Sequence, residues 1–555
     1  MKIVSFEFIK KLIYELNPSQ NFYSLNKNVK ADILAGIIVA IIALPLALAF
    51  GEVSNMGPKA GIISAAVGGI VGGLFGGCFV GVSGPTMPMA SQVAAFGAVL
   101  AASGSNDING VFSVIFLSGV VLICFSFLRI SKLIHFVPYP AIAGFMCGIA
   151  ALVLIGQINP LLGVNIENNN DPVVVLLNLL NSIINTNFIV LAVSIPSIIV
   201  LFFWDKISLK INFLKDIPSP LPVLIIGSFI AYILGMRALD ENLFISSIQN
   251  DNFSIYYPDL SRFSQYIGPA IGLACLALID SLLSCRVADT MTGTRHKSNR
   301  EAFGQGMANV VSGIFGGIST ATATTQTVGN ITFGAKTPLA TITKGIAMLL
   351  VLLFFGNFMS YIPVSCLAAI LIKLGIDIID YRILPALKNI SWTDLFVFAT
   401  VLFVTVFADI IIAVGIGVLI SLIRYYKEVY LSIAGDNTYR YGLLKESKFS
   451  IEYLKNKNSD SESTFIMELN GALFFGTIEI LIKSYISIPK HNVLVLDMSK
   501  VSLIDLSGVF ALEDLIKKAN KNKSKIYITN VNDAVKEYLE KLSFEENIGS
   551  KVIVD

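Results

Sequence analysis

Three features of the 555-residue chain predict a polytopic α-helical membrane protein of fourteen segments in two inverted seven-segment repeats, followed by a cytoplasmic α/β domain. The first is composition: 54% of residues are hydrophobic and 14% charged, against roughly 25% charged in an average soluble domain, and the apolar residues come in runs long enough to cross a bilayer. The second is a pair of Gly/Pro/Ser/Thr-rich breaks at corresponding places in two sets of segments, Gly81-Val82-Ser83-Gly84 before Pro85 and Thr86, and Gly316-Gly317 with Ser319-Thr320 before Ala323. Short or interrupted segments at matching positions of two halves are the sequence sign of inverted repeats that form a site at the membrane midplane. The third is a change of pattern near residue 431, where long apolar runs give way to alternating strands and helices.

In chain order, residues 1–30 are polar and mixed in charge, with residues 9–16 expected as a short interfacial helix. The first repeat, residues 31–236, holds segments at 31–51, 57–76, 85–102, 111–130, 137–158, 188–204 and 221–236, with an amphipathic stretch at 171–184. Glycine and alanine are dense in the first four, which suits close helix approach in lipid. After an acidic, aromatic stretch at 240–259, the second repeat, residues 263–425, holds segments at 263–285, 302–318, 323–333, 340–355, 362–376, 395–407 and 411–425. Together they make a transport-sized domain at 31–430, with a polar linker at 431–460 and a soluble domain at 461–555.

Charge placement orients this topology. With the N-terminus in the cytoplasm every even-numbered segment ends inside, and there the basic residues cluster: Arg129 and Lys132; Lys206, Lys210 and Lys215; Arg295, Lys297 and Arg300; Lys336; Arg382 and Lys388; Arg424 and Lys427. The loops assigned outside, 104–110, 159–170 and 240–259, hold no Lys or Arg. Both termini are therefore expected in the cytoplasm, with the chain in the cell (inner) membrane. Asp289, Arg295, His296, Arg300 and Glu301 are read as a cytoplasmic polar network. A net charge of +2 gives no reason to expect a nucleic-acid partner. Six cysteines lie in apolar context without CxxC or Cys/His spacing, and are read as small buried hydrophobes. No Walker motif, GxSxG elbow or metal-ligand cluster points to catalysis or to a cofactor.

In the soluble region, strands are expected at 464–469, 473–476, 492–496, 525–529 and 551–554, and helices at 478–486, 509–519 and 533–542. That alternation argues for one sheet covered by helices. Asp505-Leu506-Ser507-Gly508 forms the turn into the second helix, where Ser507 is either a helix cap or a phosphorylation site that would add about two negative charges.

Within the membrane part, Asp280 is a carboxylate inside an otherwise apolar run. At bilayer depth such a group is costly unless it meets water, an ion or a partner, so it marks a transport or relay site.

Several stretches in a fixed order carry a family resemblance. Ala43-Leu44-Pro45-Leu46-Ala47-Leu48-Ala49-Phe50-Gly51, Gly84-Pro85-Thr86, Asp280-Ser281-Leu282-Leu283-Ser284 with Val287-Ala288-Asp289, and Asn299-Arg300-Glu301 leading to Gly304-Gln305-Gly306 resemble the SulP family of inorganic anion transporters, relatives of the solute carrier 26 proteins. The C-terminal part resembles that family's STAS domain through residues 505–508, and the likeness spans about residues 25 to 553. It implies fourteen segments in inverted repeats with core and gate subdomains, and a homodimer. Within the family the chain is most similar to BicA-type sodium-dependent bicarbonate transporters. Asp280 matches their sodium-binding aspartate, Ser284 stands where they have a threonine, and Thr322, Ala323 and Thr324 match the turn opening segment ten, with Thr322 in place of a glycine. Thr86 matches the threonine opening segment three, and Leu46 stands where many sulfate-type relatives carry a glutamine.

Physical reasoning stands beside that likeness. Segments three and ten would be half-helices with their N-termini facing, each end carrying unsatisfied N–H groups and about half a positive charge, which together suit a small anion. Pro85, Thr86, Ala323 and Thr324 would line it. Asp280, Ser284, Thr322 and Thr324 would give a cation site of hard oxygens suited to sodium, with a proton on Asp280 as the other coupling ion. The expected function is sodium-coupled uptake of bicarbonate, the alternative being sulfate or another oxyanion moved by proton symport or exchange. A third class is a non-transporting sensor or scaffold acting through a nucleotide or cytoplasmic partner at the STAS domain.

Overall fold

Helices that are apolar all round are stable in this chain because lipid, not water, is their solvent, and because intrahelical hydrogen bonds satisfy the backbone there. In the computed structural model such helices are α1 (Val29–Val53), α2 (Gly57–Phe75), α4 (Ile108–Phe127), α5 (Tyr139–Gly156), α8 (Phe263–Thr292) and α11 (Leu339–Met359). Shorter apolar helices are α3 (Met87–Ala102), α6 (Phe188–Ser208), α7 (Pro220–Ile233) and α13 (Trp392–Phe407). Three more, α9 (Ser298–Phe315), α10 (Thr324–Thr332) and α12 (Val364–Ile378), are less apolar or shorter. These thirteen helices stand where segments one to thirteen are expected. The structure describes residues 15–102, 108–130, 138–164, 172–210, 217–245, 254–259, 261–408, scattered positions between 412 and 423, 440–443, 464–474, 477–488, 491–521, 524–549 and 552–553. Most of segment fourteen, residues 9–14 of the expected interfacial helix, and most of the 431–460 linker lie outside them.

The chain folds as two compact units, residues 1–134 with 149–379, and residues 135–148 with 380–555. In the first, α9 packs along α4, α11 along α1, and α1 along α2. Small residues make this possible. A Cβ at Gly61 of α2 would stand 1.9 Å from the Ala47 carbonyl oxygen of α1, so only glycine lets these backbones meet. We expect Gly61→Leu to lower stability by about 3 kcal/mol, the upper end for overpacking, seen as an earlier melting transition in detergent; unchanged melting would mean that α1 and α2 do not approach in this way. Of the cysteines, Cys285 and Cys366 are buried as expected, Cys78, Cys147 and Cys275 are half-buried, and Cys124 is exposed on α4.

Midway, α2 loosens into one π-helical turn, Gly68–Gly72. Such turns are rare and recur near functional sites. Here it faces β1 (Ser83–Pro85), since a Cβ at Gly68 would meet the Gly84 nitrogen at 2.9 Å.

In the second unit, β3 (Arg440–Leu443), β4 (Thr464–Asn470), β5 (Val493–Lys500) and β6 (Lys525–Thr529) form a sheet in that order, β3 antiparallel to β4 and the rest parallel. The parallel crossovers run through α14 (Ile478–Ser487) and α15 (Leu506–Lys521), and α16 (Asp533–Lys541) and α17 (Phe544–Ile548) follow. Leu494, Leu496, Ile526 and Ile528 of the sheet bury against Val509, Leu512, Leu515 and Ile516 of α15. One expectation differs: a strand, β3, lies inside the stretch expected as linker. Of the stretch at 473–476, residues 473 and 474 are described; Leu473 bridges to Ile504, and the Thr477 hydroxyl donates to the carbonyls of Ala472 and Phe474 ahead of α14.

Candidate functional site

Both sequence breaks become short extended strands that pair. β1 and β2 (Thr320–Thr322) are antiparallel, with Ser83 opposite Thr322, Gly84 opposite Ala321 and Pro85 opposite Thr320. Each strand leads into a half-helix. Thr86 accepts the first helical bond of α3 from Ala90 N–H at 3.0 Å, and Ala323 accepts that of α10 from Thr327 N–H at 3.0 Å. The strands also tie crosswise, Ala323 N–H donating to the Val82 carbonyl at 2.8 Å. The sequence folds this way because proline at 85 favours an extended residue before it, and because neither break offers a continuous helical pattern. The N–H groups in the first turn of each half-helix have no intrahelical acceptor.

The long helix α8 presents one face to both openings. The Thr86 hydroxyl donates to Asp280 Oδ2 at 2.7 Å. One turn further, the Ser284 hydroxyl lies 2.7 Å from that of Thr324 and bonds the Asp280 carbonyl at 2.9 Å. Between them Ser281 accepts the Thr322 N–H at 3.0 Å. Of the expected residues, Thr86 thus meets Asp280 and Ser284 meets Thr324 side chain to side chain, and the Asp280 carbonyl joins the two pairs through Ser284. Pro85 and Ala323 flank them in main chain. Thr86 and Ser284 are buried and Asp280 is half-buried.

Thr322 is placed differently from the other four. Its hydroxyl donates to Glu301 Oε1 at 2.5 Å and accepts from Gln305 Nε2 at 2.8 Å, so both its roles are taken by α9 and its side chain turns away from Asp280. What it has left for a cation is its carbonyl. Glu301 is the hub behind the strands: Oε2 accepts the N–H groups of Gly77 at 2.7 Å and Cys78 at 2.9 Å, and Oε1 also accepts from Gln305 at 2.9 Å. Gln305 Nε2 also lies 2.6 Å from Ser83 Oγ, so its two hydrogens are shared among three oxygens, and Asn309, one turn on, bonds the Thr320 main chain through both ends of its amide. Glu301, Gln305 and Asn309 recur every fourth residue, a polar stripe on α9 that would have pointed to this layer. Of the expected network of Asp289, Arg295, His296, Arg300 and Glu301, Glu301 parts from Asp289 and His296 in the structure. Asp289 and His296 do pair, at 2.7 Å, while Glu301 turns inward.

A second residue that motif reasoning passed over is Lys344 of α11. It is fully buried, and its ammonium donates to the carbonyls of Ala65 and Ser83, each at 3.0 Å. Among the described residues no group of three or more His, Cys, Asp and Glu gathers as a metal cluster.

In the second unit, the cap of α15 falls to Asp505, whose Oδ1 accepts the Gly508 N–H at 2.7 Å. The Ser507 hydroxyl is buried and accepts the Tyr139 N–H at 3.0 Å.

Comparison with known proteins fits this geometry. Residues 29–401 match the model of the sulfate permease family and residues 457–554 that of the STAS domain. A bicarbonate transporter, BicA, of a Picosynechococcus species is 31% identical over 536 residues, covering 94% of this chain and 92% of its own. A putative sulfate transporter of Bacillus subtilis, YvdB, is 28% identical over 539 residues, covering 96% and 97%. The solved transmembrane domain of a cyanobacterial BicA superposes with a TM-score of 0.63 at 32% identity, over 70% of this chain and 98% of that one. SLC26A9, at 19% identity and a TM-score of 0.68 over 98% of this chain and 92% of its own, shares the fold. The paired breaks and facing half-helices fit the inverted repeats of such transporters. With the permease model matched over most of its length and a STAS domain behind it, this chain belongs to the sulfate permease family, multi-pass membrane proteins that carry inorganic anions and are not enzymes.

Proposed function

We propose that this member of the family is a sodium-coupled importer of bicarbonate, with the anion between the N-termini of α3 and α10 and sodium at Asp280. The observation that carries this reading is the hydrogen bond from Thr86 to Asp280, because it makes one hydroxyl common to both ions. Without a cation, Asp280 holds the Thr86 proton. A sodium ion on the carboxylate takes over the acceptor's lone pairs and leaves the Thr86 O–H free to donate to an anion at the end of α3. Ser284 and Thr324 form the equivalent pair on the other side, and the Thr322 carbonyl is the remaining oxygen for the cation. Each ion then raises the affinity of the other, and that mutual effect is what coupling requires. Identity above 30% to relatives named as bicarbonate transporters supports the choice of anion.

A second reading, sulfate or another oxyanion by proton symport or exchange, rests on the putative sulfate transporter of similar coverage and on Asp280 as a carboxylate able to take a proton. Uptake of labelled bicarbonate and labelled sulfate into liposomes holding the purified protein, with and without an inward sodium gradient, separates them. We expect sodium-driven bicarbonate uptake; uptake of either anion that ignores sodium would sink the symport reading, and none of either would favour a scaffold acting through the STAS domain.

The same proposal has the protein in the cell membrane with both termini cytoplasmic, following the positive-inside distribution, and as a homodimer, following the family resemblance. At Ser507, phosphorylation would be regulatory, since the phosphate cannot form while the hydroxyl is buried against Tyr139 N–H.

A further inference from the structure

Lys344 lies within α11, and among the described residues no carboxylate comes within ion-pair distance of it. Its two bonds go to main-chain carbonyls, Ala65 of α2 and Ser83 of β1. An ammonium has three donors, so one remains. The neighbourhood is short of partners too. Gln326, in the first turn of α10, keeps its buried Oε1 without a hydrogen bond. A Cβ at Gly84 would sit 3.0 Å from the ammonium and 3.9 Å from that oxygen, so both line the bare side of Gly84. A buried cation without a counter-charge costs several kcal/mol, and the site in front of it, reached through Gly84, Pro85 and Thr86, is the one read above as taking an anion.

We infer that Lys344 is the fixed cation of the anion site, seated behind β1 and matched to a substrate of one negative charge. This rests on the half-helix reading of that site and supplies what it lacks, since neither break contains a basic residue. With the carrier empty, Lys344 offsets Asp280. With both ions loaded, sodium offsets Asp280 and the monoanion offsets Lys344, so the loaded and empty sites carry the same charge through the low-dielectric part of the cycle. A dianion would leave one negative charge uncompensated. The bonds to Ala65 and Ser83 hold the ammonium in place, and they also make a structural tie between α2 and β1 that the test must separate from the charge.

Lys344→Gln does so, because its amide can still donate to both carbonyls while the charge is gone. In liposomes at saturating sodium, Lys344→Gln should raise the apparent KM for bicarbonate about tenfold or more, as loss of a nearby charge does at the effective dielectric of a protein interior, with unaltered melting in detergent. Gly84→Ala, which keeps the charge but pushes the ammonium aside, should raise it severalfold and serves if Lys344→Gln fails to fold. Thr324→Val, measured alongside, reports on the half-helix site itself. A raised KM for Thr324→Val with an unchanged KM for Lys344→Gln or Gly84→Ala would overturn the role of Lys344 and leave the site standing. An unchanged KM for Thr324→Val with a raised one for Lys344→Gln would move the anion away from the half-helices, and the inference would fall with the reading under it.

Discussion

Asp280→Asn is expected to abolish sodium-dependent uptake and to leave the protein folded. The fold should survive because the carbonyl oxygen of the new amide can still accept the Thr86 hydroxyl, the one hydrogen bond that the carboxylate receives among the described residues. Exchanging one acceptor for another there costs on the order of 1 kcal/mol. Function does not survive, because an amide brings no charge to a cation that must leave water. Coupling between two ligands typically spans roughly 5- to 150-fold in affinity, and with the carboxylate gone sodium stimulation should fall to none, residual uptake being slow and indifferent to sodium. The measurement is initial uptake of labelled bicarbonate against a series of sodium concentrations, with detergent melting as the control for folding. Sodium stimulation equal to wild type would exclude Asp280 as the ligand. Loss of sodium dependence together with a new pH dependence would argue that the native site already works with a proton.

The architecture was legible because lipid makes hydrophobic runs almost a direct readout of helices, and because two breaks at matching positions announce a repeat. Asp280 was legible for the same reason, as a charge where none is cheap. Lys344 carries the same kind of signal, a lone cation within the apolar run of α11, but it lies outside both breaks. Its side chain reaches β1 from another helix, and nothing in spacing along the chain reports that. Thr322 was misleading in the opposite way. Position beside Ala323 and Thr324 suggested a hydroxyl aimed at the ion, but strand pairing sends successive side chains to opposite faces, and in β2 the face of Thr322 is the one toward Glu301 and Gln305.

That hidden layer carries the second large effect. Glu301 is 2% exposed and accepts four hydrogen bonds, from the N–H groups of Gly77 and Cys78, from the Thr322 hydroxyl and from the Gln305 amide. Glu301→Ala removes every acceptor at once. A buried donor left unmet costs about 1–3 kcal/mol, so the four together should lower stability by about 4 kcal/mol or more, enough to depress melting strongly and to release the register between β1 and β2. Glu301→Gln keeps one carbonyl oxygen for Thr322 or for the main chain and should fall between that variant and wild type. The layer also predicts what happens at Thr322 itself. Thr322→Gly deletes only one donor and one acceptor, restores the glycine that the likeness to BicA-type transporters implies at this place, and should therefore keep sodium dependence while melting somewhat earlier. A Thr322→Gly protein that folds normally but has lost its response to sodium would show that the hydroxyl does serve the ion, and that the bond to Glu301 gives way when sodium arrives.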